Sequence, residues 1–157
     1  MSSGFNIAEM GHVVNILPPV DITGGVTSDV FSMKNYSHAT IIMQIGVSAA
    51  AFTKLIVEAC DDFVPTTHTD IAFAVYKEET AAGDTLGPRT AVAAAGLTPS
   101  ANDNIMYVIE IDAADLSDGS PNLRLEITNG ANSVIASAVA ILSGSRYGGS
   151  ESATAIA

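Results

Sequence analysis

The chain is expected to fold as an all-β protein, an antiparallel β-sandwich or barrel. Three observations lead there. Short apolar segments alternate with a period of two, so every second side chain can face a core. Gly, Pro, Asn, Asp and Ser separate these segments at the spacing of a sandwich or barrel. No solenoid-length repeat and no heptad pattern competes with that arrangement.

Residues 1–11 and 143–157 are rich in Gly, Ser and Ala, and are expected as flexible N- and C-terminal arms around one domain over 12–142. His12 to Leu17 is the first strand, and Pro18-Pro19 should stop it because proline cannot donate to a ladder. Asp21 to Gly25 is a turn. Val26 to Met33 is a second strand, with Val26, Ser28 and Val30 alternating against Thr27, Asp29 and Phe31. Lys34 to Ser37 turns the chain again. Ala39 to Val47 is β-branched and nearly all apolar, which predicts a central strand covered on both faces.

Lys54 to Cys60 places Leu55, Val57 and Ala59 on one face and Ile56, Glu58 and Cys60 on the other. The mixed run Phe63 to Asp70 reads as a loop. Ile71 to Lys77 puts Ile71, Phe73 and Val75 opposite Ala72, Ala74 and Tyr76. In the stretch Glu78 to Asn104, Gly83-Asp84, Gly87-Pro88 and Gly96 mark turns; the alanines of Thr90 to Leu97 allow a weak helix, but the strands flanking it favour a strand. Ile105 to Ile111 is a strand with Ile105, Tyr107, Ile109 and Ile111 on one face. Asp112 can cap a short helical turn over Ala113, Ala114 and Asp115, which Asp118-Gly119 ends. Asn122 to Thr128 has the cleanest alternation: Leu123, Leu125 and Ile127 inward, Arg124, Glu126 and Thr128 outward. After the turn at Asn129-Gly130, Ser133 to Leu142 is the last strand. Ile135, Val139 and Ile141 lie on one side; Val134, Ala136, Ala138 and Ala140 lie on the other, where small residues suit close packing against another sheet or subunit.

Composition excludes several classes of function. With 157 residues, 48% hydrophobic and only 15% charged, the chain is neither disordered nor a charge-laced coiled coil. Six Lys plus Arg face seventeen Asp plus Glu, a net charge of −11. Such a surface repels nucleic acid, whose binding rests on neutralised phosphates, and anionic membranes likewise. Cys60 is the single cysteine, so no intrachain disulfide is expected, and it reads as a small buried hydrophobe. The opening MSSGFNIAEMGH has no basic and no apolar region of a secretory signal. No apolar run approaches the ~18 residues that span a bilayer. A soluble chain made in a cytoplasm is expected, with the sequon at Asn35 incidental.

Catalytic signatures are missing. There is no GxxxxGK[ST], no GxGxxG after a strand, no HExxH, no CxxC and no GxSxG. His12, His38 and His68 fall in separate segments without metal-ligand spacing, so a metal site would need them to converge in space. Asp61, Asp62, Asp103, Asp112, Asp115 and Asp118 invite a calcium reading. The series from Asp112 lacks the EF-hand order of ligands, and solvated carboxylates with a helix cap explain it more simply. Glu78-Glu79 are adjacent on a strand end and point to opposite faces, unlike the facing pair of a glycosidase. Tyr36, Tyr76, Tyr107 and Tyr147 could stack on a sugar, but two lie in core-like strands and the chain has no Trp. Accordingly no catalytic, cofactor-binding or metal-ligating residue is assigned, and neither enzyme activity nor a cofactor is expected.

One likeness covers most of the chain. Asn15 to Asp21, Phe31 to Ile42, Ala74 to Gly87, Tyr107 to Leu116, Leu123-Arg124-Leu125 and Ala140 to Tyr147 together resemble small virion proteins of tailed bacteriophages, most closely head decoration, or cement, proteins. The resemblance implies a β-sandwich, often a jelly roll, that forms a homo-oligomer, here a trimer, on the outer surface of the virion capsid. Its partner would be the major capsid protein, whose subunit junctions it would reinforce. Roughly eight candidate strands suit such a two-sheet fold. The alternatives are a carbohydrate- or receptor-binding β-sandwich of a phage tail, marked by exposed aromatics, and a hydrolase, marked by a cleft with convergent carboxylates or a His-bound metal.

Overall fold

A computed structural model of the chain describes residues 4–78, 85–100 and 103–146. Two antiparallel sheets pack face to face over one hydrophobic core. The strands are β1 (His12–Asp21), β2 (Val26–Thr27), β3 (Phe31–Ser32), β4 (Tyr36–Ser48), β5 (Lys54–Cys60), β6 (His68–Ile71), β7 (Phe73–Glu78), β8 (Thr90–Val92), β9 (Met106–Asp112), β10 (Asn122–Thr128) and β11 (Val134–Ser145). The first sheet has the order β1-β11-β4-β9-β7-β8. The second has the order β2-β10-β5-β6, with β3 also paired to β10. The all-β sandwich expected from the alternation is the fold of the protein.

Where the alternation is clean, the core follows it. Leu123, Leu125 and Ile127 on β10 face Ala59, Val57 and Leu55 on β5, and all six are buried. Ile41, Ile109 and Val75 form one fully buried row across β4, β9 and β7. The small-residue side of β11 (Val134, Ala136, Ala138, Ala140) faces this core, while Ile135 stays 44% exposed. Phe52 packs edge-on against Tyr107, with ring centroids 6.2 Å apart.

The differences from the sequence reading have physical reasons. β1 does not stop at Pro18-Pro19 but runs on to Asp21. It is an edge strand, where a missing N–H can face solvent, and its register shifts on either side of Leu17 absorb the prolines. The expected strand Val26 to Met33 is two short pieces. Between them Ser28 exchanges backbone and side-chain bonds with Leu125, and Asp29 N–H turns away to donate to the Ile16 carbonyl. β4 is central as expected but buries one face fully; Thr40 and Ile42 on the other face are half-buried.

Part of the Phe63 to Asp70 loop is strand, since β6 begins at His68. The Ile71 to Lys77 strand is broken at exposed Ala72. There the chain crosses from the second sheet to the first, and Ile71 and Phe73 bury themselves on either side. The expected strand Thr90 to Leu97 keeps only Thr90–Val92 and an isolated bridge between Leu97 and Leu55. Gly96 forces the break. Its φ is +90°, and a Cβ there would lie 2.7 Å from the Leu55 carbonyl oxygen. Ala113–Asp115 form one 3-10 turn, as expected after Asp112, and the Asp115 carboxylate accepts the Asp112 N–H at 3.4 Å.

Both ends of the domain carry structure beyond 12–142. Ile7–Met10 form a single helical turn against β1, and β11 continues past Leu142 to Ser145. Asp21 clasps the end of β1 to the start of β11. It accepts hydrogen bonds from Ser133 Oγ, from Thr23 Oγ1 and N–H, and from Val134 N–H, which hold its carboxyl at a pKa of about 2. Glu79, Gly83, Asp84 and Tyr147 lie outside the described residues.

Candidate functional surfaces

Three features stand out on the surface, and they segregate by charge. The first is an uncharged face. β1, β11 and β4 are neighbours in the first sheet, and among Asp, Glu, Lys and Arg they carry only Asp21. On a chain of net charge −11 that is a large area with little charge, His38 of β4 lying at its border with β9. Val13 is 48% exposed toward one end of this face, opposite Ile141, and Ile135 is 44% exposed toward the other end, opposite Asp21. The N-terminal arm extends this face. A groove of about 470 Å³ is lined by Phe5, Ile7 and Met10 of the arm with Ile42 and Ile141 of the sheet. Gly11 makes the crossing possible, because a Cβ there would sit 3.0 Å from Ile141 Cγ2. Phe5 and Met10 nonetheless remain 76% and 61% exposed. An apolar patch of this kind, rimmed by polar surface, is the usual mark of an interaction site.

The second feature is a polar cleft of about 690 Å³ on the same sheet, toward β9 and β7. The ladder register places His38 opposite Asp112, and Glu110 follows on the same face of β9. His38 Nδ1 lies 2.7 Å from Asp112 Oδ1, and Nε2 lies 2.6 Å from Glu110 Oε2. Thr40 Oγ1 donates to the same Glu110 oxygen at 2.7 Å. Tyr76 and Arg89 also line the cleft. Both ring nitrogens can donate only in the imidazolium. Burial alone would lower the His38 pKa, but the hydrogen bonds and charges of Asp112 and Glu110 outweigh it and raise the pKa above the usual 6.5. The carboxylates therefore clamp a cation between β4 and β9. An imidazole committed at both nitrogens is a poor proton shuttle, and Glu110 Oε2 is already engaged by both Thr40 and His38.

This geometry sets a pH dependence. A raised folded-state pKa gives stability that is fully present below 6.5 and is lost as pH rises through the folded value. An NMR titration of His38 should therefore show a midpoint above 6.5, and Glu110→Gln should move it down. A wild-type midpoint at or below 6.5 contradicts the clamp.

The third feature is on the outer face of the second sheet. Arg124, Glu58 and Asp70 lie opposite one another on β10, β5 and β6. Glu58 is only 1% exposed, although it points away from the core. Arg124 Nε donates to its Oε2, and its Oε1 lies 2.7 Å from His68 Nδ1. Asn122 beside them is buried and donates to the Cys60 and Asp61 carbonyls. Cys60 is buried too, and burial pushes its thiol up to about 11, which leaves it a poor nucleophile.

The three histidines thus stay apart, but His38 meets Asp112 and Glu110, 74 and 72 residues on, and His68 meets Glu58 across the β5–β6 ladder. The other acids singled out have local tasks. Asp61 accepts from the Thr66 hydroxyl and from the Thr66 and Thr67 N–H groups, and Asp103 accepts the Ser48 N–H. Tyr107 is core, while Tyr76 borders the cleft. No helix among the described residues is long and apolar enough to cross a membrane. No protein-family model matches the chain, and no curated protein matches it.

Proposed function

We propose that this chain is a non-enzymatic structural protein of a tailed-phage virion, a capsid decoration protein that acts by adhesion. The likeness of its sequence to cement proteins supplies the partner, the major capsid protein. The observation that carries the reading is the uncharged face of β1, β11 and β4 with the apolar arm laid along it. Two such faces, or one face and a capsid subunit, can meet without bringing the acidic surfaces of the chain together. Working as a trimer, the protein would link several weak contacts into one strong attachment and so oppose the outward pressure of packaged DNA. Its net charge of −11 disfavours DNA itself as a partner.

The strand order supports the jelly-roll form. Without β7 and β8 the first sheet reads β1-β11-β4-β9, and the second reads β2/β3-β10-β5-β6. Each sheet interleaves strands from the two ends of the chain, as two Greek keys wrapped together do. A second reading, a carbohydrate- or receptor-binding module of a phage tail, is favoured by the cleft where Tyr76 and Arg89 lie beside Glu110 and Asp112.

The deciding experiment is co-sedimentation with phage heads that lack the protein. The full-length chain should pellet with them, and a form trimmed of residues 1–11 should bind at least tenfold more weakly while melting within a few degrees of the parent. Failure of the full-length chain to pellet removes the decoration reading. Equal binding by the trimmed form moves the contact from the arm to the sheet face.

A further inference from the structure

We propose that Glu58, His68 and Asp70 form a divalent-metal site, suited to Zn2+, on the outer face of the second sheet. One ligand atom from each lies within 4.8 Å of the others. The site is built by register: Glu58 is opposite Asp70 and Cys60 is opposite His68, so the two β6 residues flank the end of one β5 carboxylate.

Three observations favour an ion over a simple cluster of charges. Glu58 is 1% exposed, yet its Oε1 lies 2.7 Å from His68 Nδ1 without hydrogen-bond alignment. A buried carboxylate oxygen that lies close to an imidazole nitrogen and still lacks a hydrogen-bond partner has capacity left for a third centre. With bonds of about 2.0–2.2 Å, ligand atoms around one zinc ion stand roughly 3–4 Å apart; the three atoms lie within 4.8 Å of one another, and Glu58 Oε1 and His68 Nδ1, at 2.7 Å, would open slightly to admit the ion. Next, Arg124 Nε donates to the other oxygen, Oε2. That fixes the carboxylate and leaves Oε1 for the ion, the outer-shell support that ligating carboxylates receive. Finally, His68 is half-exposed and Asp70 is exposed, so an ion can enter and keep water in its remaining positions. The mixed imidazole and carboxylate set suits Zn2+ better than Ca2+ or Mg2+.

The cluster at His38 has the same residue types and the opposite geometry. There the imidazole stands between Asp112 and Glu110, with one nitrogen turned to each, so the three ligand atoms do not share a centre. Residue inventory alone cannot separate the two sites; the direction of the ring does.

Binding would have a structural consequence independent of the decoration reading. β6 is the edge of its sheet, and it joins β5 only through residues 68–71. An ion held by Glu58 from β5 and by His68 and Asp70 from β6 would rivet that edge to the sheet.

The test uses the full-length chain, stripped with chelator and dialysed against Zn2+. One Zn2+ should be retained per chain, and the backbone amides of residues 68–71 should exchange more slowly with the metal present. His68→Asn and Asp70→Asn, both at exposed positions, should each weaken Zn2+ binding at least tenfold while leaving the circular dichroism spectrum unchanged. His38→Asn should retain zinc. No retained zinc in the parent overturns the proposal. So do zinc binding that survives both β6 substitutions, loss of zinc with His38→Asn alone, or displacement by an equal concentration of Ca2+.

Discussion

Arg124→Ala is expected to destabilise the protein by about 3 kcal/mol, because it strands a buried carboxylate. Glu58 is 1% exposed and Arg124 is the only described group that donates an N–H to its Oε2. The pairing also raises the Arg124 pKa, chiefly through that hydrogen bond. His68 cannot take over, since it faces the other oxygen. For a chain of this size the loss corresponds to a fall of roughly 6–12 °C in Tm. The control is the double variant with Leu at both 58 and 124, which removes the charge together with its partner. Replacing a buried ion pair by packed apolar side chains is often close to neutral, so the double variant should recover most of the loss. Urea melts in chelator-treated buffer measure both without interference from metal. A loss below about 1 kcal/mol for the single variant would show that water or His68 already solvates Glu58.

The same row of side chains marks the limit of what the sequence discloses. That Leu123, Leu125 and Ile127 point inward is plain from alternation, since a period of two is a property of one strand. That Arg124 meets Glu58 is not, because it depends on which strands pair and in which register, and the two residues are 66 apart. His38 and Glu110, 72 apart, are hidden for the same reason. Knowing that β4 pairs with β9 would put His38, Glu110 and Asp112 on one face from the pattern, but only the register sets His38 opposite Asp112. The continuation of β1 through Pro18-Pro19 needs the knowledge that β1 is an edge, and the break at Ala72 needs the knowledge that the chain changes sheets there. Composition fared differently. The charge of −11 is legible at once, but its withdrawal from β1, β11 and β4 acquires meaning only when those three strands become neighbours.

That withdrawal separates two isoleucines with opposite expected effects. Ile109→Ala should cost about 2–5 kcal/mol, the range for deleting most of a large buried aliphatic side chain in a close-packed core. Ile109 is fully buried between Ile41 and Val75, in the middle of the first sheet, where rigid neighbours on both strands limit collapse into the gap. The upper half of the range is therefore expected, with a Tm lower by roughly 8–16 °C. Ile135→Ala makes the same chemical change on β11, at a side chain 44% exposed on the uncharged face. Its cost to folding should stay within about 0.5 kcal/mol, as for most surface substitutions. If that face is the adhesive one, Ile135→Ala should nevertheless weaken attachment to phage heads. Ile109→Ala should leave attachment intact at temperatures where the chain is still folded. Thermal melts and head co-sedimentation on the two variants give four readings. A stability loss at Ile135 as large as that at Ile109 would mean that the face is part of the core. Undiminished head binding by Ile135→Ala and by a companion Val13→Ser would mean that the neutral face is not where the chain adheres.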